Sequence, residues 1–140
     1  MIDPAYALQV AIAAALLADS TVTSLVGTNV FDPLSAVNSS YPFIEVGDDQ
    51  VLEDTTQFID GSEIFSTIHI WANGPGGRLA AKQIASAVRN VLQQPLSMTG
   101  HCMSSAIFHS ARHMIDHDMS DQGQIAHSVL VFQYRTAPTS

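Results

Sequence analysis

The segment from Glu63 to Trp71 constrains the fold most, because it alternates with a period of two residues and is apolar on both sides. One predicted face consists of Ile64, Ser66, Ile68 and Ile70, and the other of Phe65, Thr67, His69 and Trp71. This pattern is typical of a central strand, or of a strand whose outer face is covered by another group.

Two helical patterns accompany this strand. Asp3 suits an N-cap and Pro4 a first helical residue, so a helix is predicted over Ala5 to Leu17. Because this segment is apolar nearly all round, we expect it to be buried on more than one side. A second helix follows the glycine-rich turn from Asn73 to Gly77 and ends at about Leu92.

The remaining alternating segments supply the other strands. They are a brief strand at Asn29 to Phe31, a strand from Tyr41 to Gly47 that resumes at Gln50 to Asp54, and strands at His101 to Ile115 and Gln124 to Arg135. The resulting order is helix, hairpin, helix, hairpin. It predicts one α+β domain over residues 1–140, with a mainly antiparallel sheet of two hairpins and both the N-terminal and the central helix on one face.

Charge is scarce and unevenly distributed. Charged residues make up 13% of the chain, about half of the usual ~25%, which favours a surface partly buried against partners. The net charge is −8, and no Lys or Arg precedes Arg78, whereas seven acids lie between Glu45 and Glu63. Binding to nucleic acid or to anionic membranes is disfavoured, because both require clustered basic residues.

The sequence carries no targeting pattern. The apolar run from Ala5 to Ala18 is shorter than the ~20 residues of a membrane-spanning helix. Asp3 also stands where a signal peptide has a basic flank, so we expect no membrane association. Cys102 is the only cysteine, which precludes an internal disulfide and fits a reducing cytoplasm.

Three histidines recur every four residues, at His109, His113 and His117, with Asp116 and Asp118 among them. On a helix this spacing would gather three imidazoles on one face, as in some zinc sites. The segment is predicted to be a strand leading into a turn, in which the first two imidazoles share a face and the third lies in the turn. We therefore expect solvated or packed histidines and no metal site.

No other motif predicts catalysis or a cofactor. The stretch from Asn73 to Arg78 lies between a strand and a helix, as a phosphate-binding loop does, but it lacks the P-loop ending and the full dinucleotide motif. Cys102 is expected to behave as a small buried hydrophobe. No Ser lies in a Gly-x-Ser-x-Gly elbow. None of these motifs therefore points to an enzyme or to a cofactor.

The whole-chain pattern resembles a known family. The segments that carry the likeness are Val-Gly-x-x-Val-Phe at Val26 to Phe31, Tyr-Pro-Phe-Ile-Glu-Val-Gly at Tyr41 to Gly47, the Ile-x-Ile-Trp step at Ile68 to Trp71, and the helix from Ala81 to Leu92. Together they resemble the tail-terminator, or tail-completion, proteins of long-tailed bacteriophages and of gene transfer agents.

The resemblance implies a structural virion protein with no catalytic residues. Such proteins form a ring, typically of six copies, that ends the tail tube and provides the docking surface for the neck. The implied partners are further copies of the chain, the tail tube protein and a head–tail connector or stopper protein. DNA passes through the lumen without specific binding. The implied location is the tail–neck junction of a particle whose parts are made in the host cytoplasm.

Two uses of the charged residues follow and compete with each other. In a ring, one patch of each subunit meets a different patch of its neighbour. The acidic hairpin around Glu45 to Glu63 and the basic helix from Arg78 to Arg89 could be such complementary surfaces. The same carboxylates could instead line a lumen that repels DNA phosphates. The candidate interface residues are Glu53, Asp54, Phe58 and Asp60 on the hairpin and Arg78, Lys82 and Arg89 on the helix.

Two other functions remain open at this stage. One is a head-closure or stopper protein of the neck, with a similar size and a different docking face. The other is a small cytoplasmic α+β enzyme, or a module that binds a ligand or a metal, with the histidine-containing hairpin as its candidate site.

Overall fold

A computed structural model describes residues 3–31, 41–53, 61–116 and 125–139. It confirms the α+β class and the predicted order of helices and hairpins. The elements are α1 (Pro4–Ala18), α2 (Ser20–Val26), β1 (Val30–Phe31), β2 (Phe43–Glu53), β3 (Ser62–Asn73), α3 (Gly77–Leu92), β4 (His101–Asp116) and β5 (Ile125–Pro138).

The strands form one five-stranded sheet in the order β1-β2-β3-β5-β4. All neighbouring pairs are antiparallel except β1 with β2, which pair in parallel over two residues. β5 therefore lies between β3 and β4, and β4 forms one edge of the sheet. Near the other edge, the short β1 lies against the start of β2.

β3 is a central strand, as its pattern predicts. Ile64, Ser66, Ile68 and Ile70 are fully buried on the side that packs against the helices. The alternate residues from Phe65 to Trp71 are only partly buried on the opposite side, which we call the open face. The helices thus cover one face of the sheet within the chain.

The first two helices begin at aspartate caps. Asp3 Oδ1 accepts a hydrogen bond from the backbone N–H of Ala5 at 2.8 Å, and Asp19 Oδ2 accepts one from Val22 at 3.0 Å. In the part of the chain that the structure describes, no single helix is long and apolar enough to cross a membrane. Taken together, α1 and α2 would pass that test, but they are bent by 84°.

α3 joins the layers of the core. Its apolar stripe includes Ala81, Ile84 and Val88, which pack into the cluster formed by β3 and β5. At its C-terminal end, the Tyr134 hydroxyl donates a hydrogen bond to the Leu92 carbonyl at 2.7 Å. Lys82, Ser86 and Arg89 are exposed on the opposite side of the helix. Ala80 and Val91 are partly buried and pack against the same core.

Candidate interaction surfaces

The outer face of α1 is apolar and exposed. Tyr6, Val10 and Leu17 are 67%, 52% and 42% exposed, whereas Leu8 and Ile12 on the inner face are fully buried. The expectation that α1 is buried on more than one side is therefore wrong for the single chain, since the remaining described elements pack against one face only. An exposed apolar stripe of this kind is a candidate surface for contact with another molecule.

A second surface is the acidic edge of the sheet, which we define as Asp48, Asp49 and Glu53, beyond the part of β2 that pairs with β1. A β-bulge between Gly47 and Asp49 interrupts the strand, and Asp48 adopts a φ of 60°, a conformation that Asp tolerates better than most residues. The Asp48 side chain is 81% exposed, and Glu53 is also exposed. The bulge therefore directs a carboxylate into solvent beside the sheet.

Asp49 is held differently from Asp48. Its Oδ1 accepts a hydrogen bond from the buried Ser66 hydroxyl at 2.8 Å. Burial raises the pKa of Asp49 above its ordinary value of 3.8; the Ser66 hydrogen bond opposes this shift and the Asp48 charge adds to it. Asp49 is therefore the acid of this edge whose ionisation is coupled to folding.

Asp49→Asn is expected to alter the pH dependence of stability. Because the folded chain holds this proton to a higher pH than the unfolded chain, stability falls as pH rises from 3.8 through the raised folded pKa. The amide does not titrate, so the free energy of unfolding of the variant should rise relative to that of the wild type as the pH increases from 3.8 through the raised folded pKa of Asp49. Urea unfolding at a series of pH values measures this. A difference between the two proteins that is constant across the series contradicts the assignment.

The third surface is the basic face of α3, formed by Arg78, Lys82 and Arg89. Spacings of four and seven residues place the three side chains on one side of the helix. The Arg89 guanidinium lies 4.0 Å from the centre of the Phe108 ring, and its Nε donates to Gln93 Oε1 at 3.3 Å. Among the described residues, Arg78 and Lys82 form no ion pair. No acid among the described residues therefore neutralises these two charges.

A groove runs between α3 and β4, lined by Lys82, Arg89, Phe108 and His113 among others. His113 Nδ1 lies 2.7 Å from the Ser128 hydroxyl on β5. Desolvation lowers the pKa of His113, and the positive charge of Lys82 lowers it further. The groove therefore combines permanent positive charges with an aromatic wall.

The acidic edge and the basic groove lie on opposite sides of the subunit. β3 and β5 lie between β2 and β4. At the usual spacing between neighbouring strands, β2 and β4 are therefore about 14 Å apart. This separation explains why Lys82 and Glu53 do not neutralise each other within one chain.

A row of stacked rings covers part of the open face. Trp71 stacks on His127 with ring centres 3.7 Å apart, and Phe43 stacks on the other side of Trp71 at 6.3 Å. His69 Nδ1 lies 2.9 Å from His127 Nε2, and His69 Nε2 lies 3.3 Å from the Asp48 carboxylate. Side chains of β2, β3 and β5 thus shield the outer side of β3. The aromatic residues at alternate positions of β3 were the signal for this row, but its members on other strands could not be identified from sequence.

Comparison with known proteins identifies the family of this chain. The sequence profile of the family described as "Tail completion protein gp17" matches residues 10–137. The chain belongs to this family. The predicted family resemblance is thereby confirmed, and the protein is a structural component of a phage or phage-like tail.

A solved structure agrees with the tail-completion fold. A chain from the structure titled "Virion of native gene transfer agent (GTA) particle" superposes with a TM-score of 0.81 at 24% sequence identity. The match covers 98% of this chain and 99% of that chain. A search of curated proteins found no match.

The structure gives the positions of four of the seven residues predicted to form an interface of this tail-completion protein, and their role in an interface stays a prediction. Glu53 lies exposed at the end of β2, and Arg78, Lys82 and Arg89 lie exposed on α3. Asp54, Phe58 and Asp60 lie outside the described residues, so the prediction for this loop stays a prediction. Sequence reasoning missed the groove between α3 and β4, because it depends on β4 lying at the sheet edge.

The histidine prediction needs one correction. A β-bulge between Phe108 and Ser110 shifts the alternation of β4 by one residue. His109 therefore contacts Phe65 on the open face, whereas His113 pairs with Ser128 on the helix side, and the two imidazoles do not share a face. In residues 3–31, 41–53, 61–116 and 125–139, no group of three or more His, Cys, Asp or Glu is arranged to hold a metal; His117 and Asp118 lie outside these ranges.

Two smaller expectations can also be compared with the structure. Cys102 is exposed on β4 and is not a buried hydrophobe, because its side chain points away from the core at the edge strand. The glycine-rich segment before α3 forms a turn in which Gly74 and Gly76 have φ values of 78° and 79°. These left-handed conformations account for the glycines as a turn requirement.

Proposed function

We infer that copies of this tail-completion protein assemble head to tail into a closed ring, typically of six copies, that ends the tail tube. The observation that carries this proposal is the placement of the acidic edge and the basic groove on opposite sides of one subunit. A closed ring requires two different and complementary patches on each copy. The tail-completion family supplies the setting in which such a ring acts.

Further features fit this arrangement. The apolar stripe of α1 is a surface that a tail tube protein or a head–tail connector or stopper protein would cover. The net charge of −8 keeps phosphates from binding, so DNA can pass through the lumen. The proposed location is the tail–neck junction of a virion or phage-like particle.

Deleting the gene tests the proposed role directly. Cells that produce particles without this protein should accumulate separate heads and tails, and many tails should exceed the normal length. Electron microscopy of the particles measures both effects, and expression of the wild-type chain should restore joined particles of normal length. If heads lack closure while tails have normal lengths, the protein acts as a head-closure or stopper protein instead.

Replacing Glu53, Asp54 and Asp60 together with lysine is expected to leave the fold intact and to impair the particle. Circular dichroism and thermal melting serve as the folding control. Loss of the ring assigns these acids to the subunit interface, whereas an intact ring with poor DNA delivery assigns them to the lumen. Joined particles that deliver DNA normally would contradict both assignments.

A further inference from the structure

Two strand edges remain open in the described sheet. Among the described residues, β4 (His101–Asp116) pairs with β5 along its length and otherwise only through an isolated bridge between His101 and Met98, so its outer edge is open beyond His101. Among the described residues, β1 covers the outer edge of β2 only at Ile44 and Glu45. At the far end of β2, Val51 and Leu52 are each 43% exposed. An open edge presents unpaired N–H and C=O groups that can pair with another chain.

The direction of the strands suits pairing between these two edges. β2, β3, β5 and β4 alternate in direction, so β4 runs opposite to β2. If the strands run nearly along the ring axis, rotation about that axis gives the second copy nearly the same strand direction at the interface. Its β2 would therefore lie antiparallel to β4 and continue the hydrogen-bonding pattern of the sheet.

The charges at the two edges favour pairing of β2 with β4 over pairing of two β2 edges or two β4 edges. Acids lie on both faces of the β2 edge, since Asp48 contacts His69 on the open face and Asp49 contacts Ser66 on the helix side. Cations lie on both faces beside the β4 edge. Arg112 is in register with Val129 on the open face, and Lys82 lines the groove on the helix side. Two β2 edges or two β4 edges would repel each other, whereas unlike edges attract.

We propose that the β2 edge of one copy pairs with the β4 edge of the next copy, so that one sheet continues across each subunit boundary. The proposal rests on the proposed ring and names the element that each copy offers to its neighbour. In this arrangement the acidic edge of one copy approaches the basic groove of the next.

Disulfide cross-linking tests the pairing. In a Cys102→Ser background, each chain receives one cysteine on each edge, at positions that face the open side of the sheet. Antiparallel neighbours bring Cα atoms to the separation that a disulfide requires. The positions to be combined are Gln50 or Leu52 on β2 with Ser105, Ile107, Ser110 or Met114 on β4.

Oxidised double-cysteine chains are expected to form a ladder of multimers on a non-reducing gel, because every copy contributes one cysteine to each of two boundaries. Moving the β2 cysteine forward along the chain should move the best β4 partner backward, as antiparallel pairing in one register requires. Each single-cysteine variant is the matched control and can form dimers at most.

Hydrogen exchange supplies a second measurement on the wild-type chain. Amides of β2 and β4 at the boundary should exchange at least ten times more slowly in the ring than at a dilution at which the ring dissociates.

The outcomes separate this inference from the proposed ring. A ladder with the antiparallel shift supports strand pairing. A ring by native mass that yields no ladder from any combination overturns the pairing and leaves the ring standing. Efficient dimers from chains with a β4 cysteine alone also overturn it, since they indicate pairing of identical edges. A chain that never assembles refutes the ring and the pairing together.

Discussion

Lys82→Glu is expected to disrupt the ring while leaving the subunit folded. Lys82 is exposed, forms no ion pair among the described residues, and lines the groove that faces the proposed neighbour. Its replacement places an acid opposite the acidic edge of the next copy. Such like-charge contacts cost several kcal/mol, and about 3 kcal/mol corresponds to a roughly 100-fold weaker association. Analytical ultracentrifugation measures the change.

A matched control separates position from net charge. Gln83→Glu combined with Asn90→Asp adds the same negative charge to the same helix, on a neighbouring face. We expect this control to assemble nearly as well as the wild type. Adding Glu53→Lys to Lys82→Glu should restore part of the association if the two surfaces meet. Wild-type assembly by Lys82→Glu alone would show that the groove lies outside the interface.

Ile68→Ala is expected to cause a large loss of stability within the chain. Ile68 is fully buried in the central strand, between β2 and β5 and beneath the helices. Truncating such a side chain removes buried apolar contacts and leaves a cavity, which costs about 2–5 kcal/mol. That is a large part of the stability of an ordinary domain. Urea unfolding of the wild type and the variant measures the loss.

The neighbouring Thr67→Ala variant is the control for Ile68→Ala. Thr67 lies on the open face of the same strand and is only partly buried, so its truncation should cost about 1 kcal/mol or less. Equal losses for the two variants would contradict the assignment of the core to the helix side of β3.

The helices and long strands could be predicted because their patterns are local. Period-two alternation marks β3, and a cap followed by helix-forming residues marks α1. The glycine-rich turn before α3 was likewise visible. These signals depend on neighbouring residues in the sequence, and the structure confirms the elements that they predict.

The arrangement of the strands could not be predicted in the same way. β5 lies between β3 and β4, and this order depends on contacts between residues far apart in the chain. The acidic and basic segments were visible in the sequence, but their placement at opposite edges required that order. The expectation for α1 failed because composition indicates that a face must be covered and not which molecule covers it.

Local irregularities limited the remaining predictions. The bulge after Phe108 moves each following residue of β4 to the opposite face of the sheet from the one that strict alternation predicts. The sequence contains no pattern that indicates this bulge. The stack of Trp71 on His127 joins residues of two strands whose register only the structure establishes. Both features determine what the open face presents to a partner.

The native mass of the untagged protein tests the central claim most directly. Multi-angle light scattering over a concentration series should detect one species near six times the chain mass of 15.0 kDa, in line with the ring size that the resemblance implies. A stoichiometry that stays constant on dilution above the dissociation constant would confirm a closed ring. A monomer or a dimer at every concentration would contradict it.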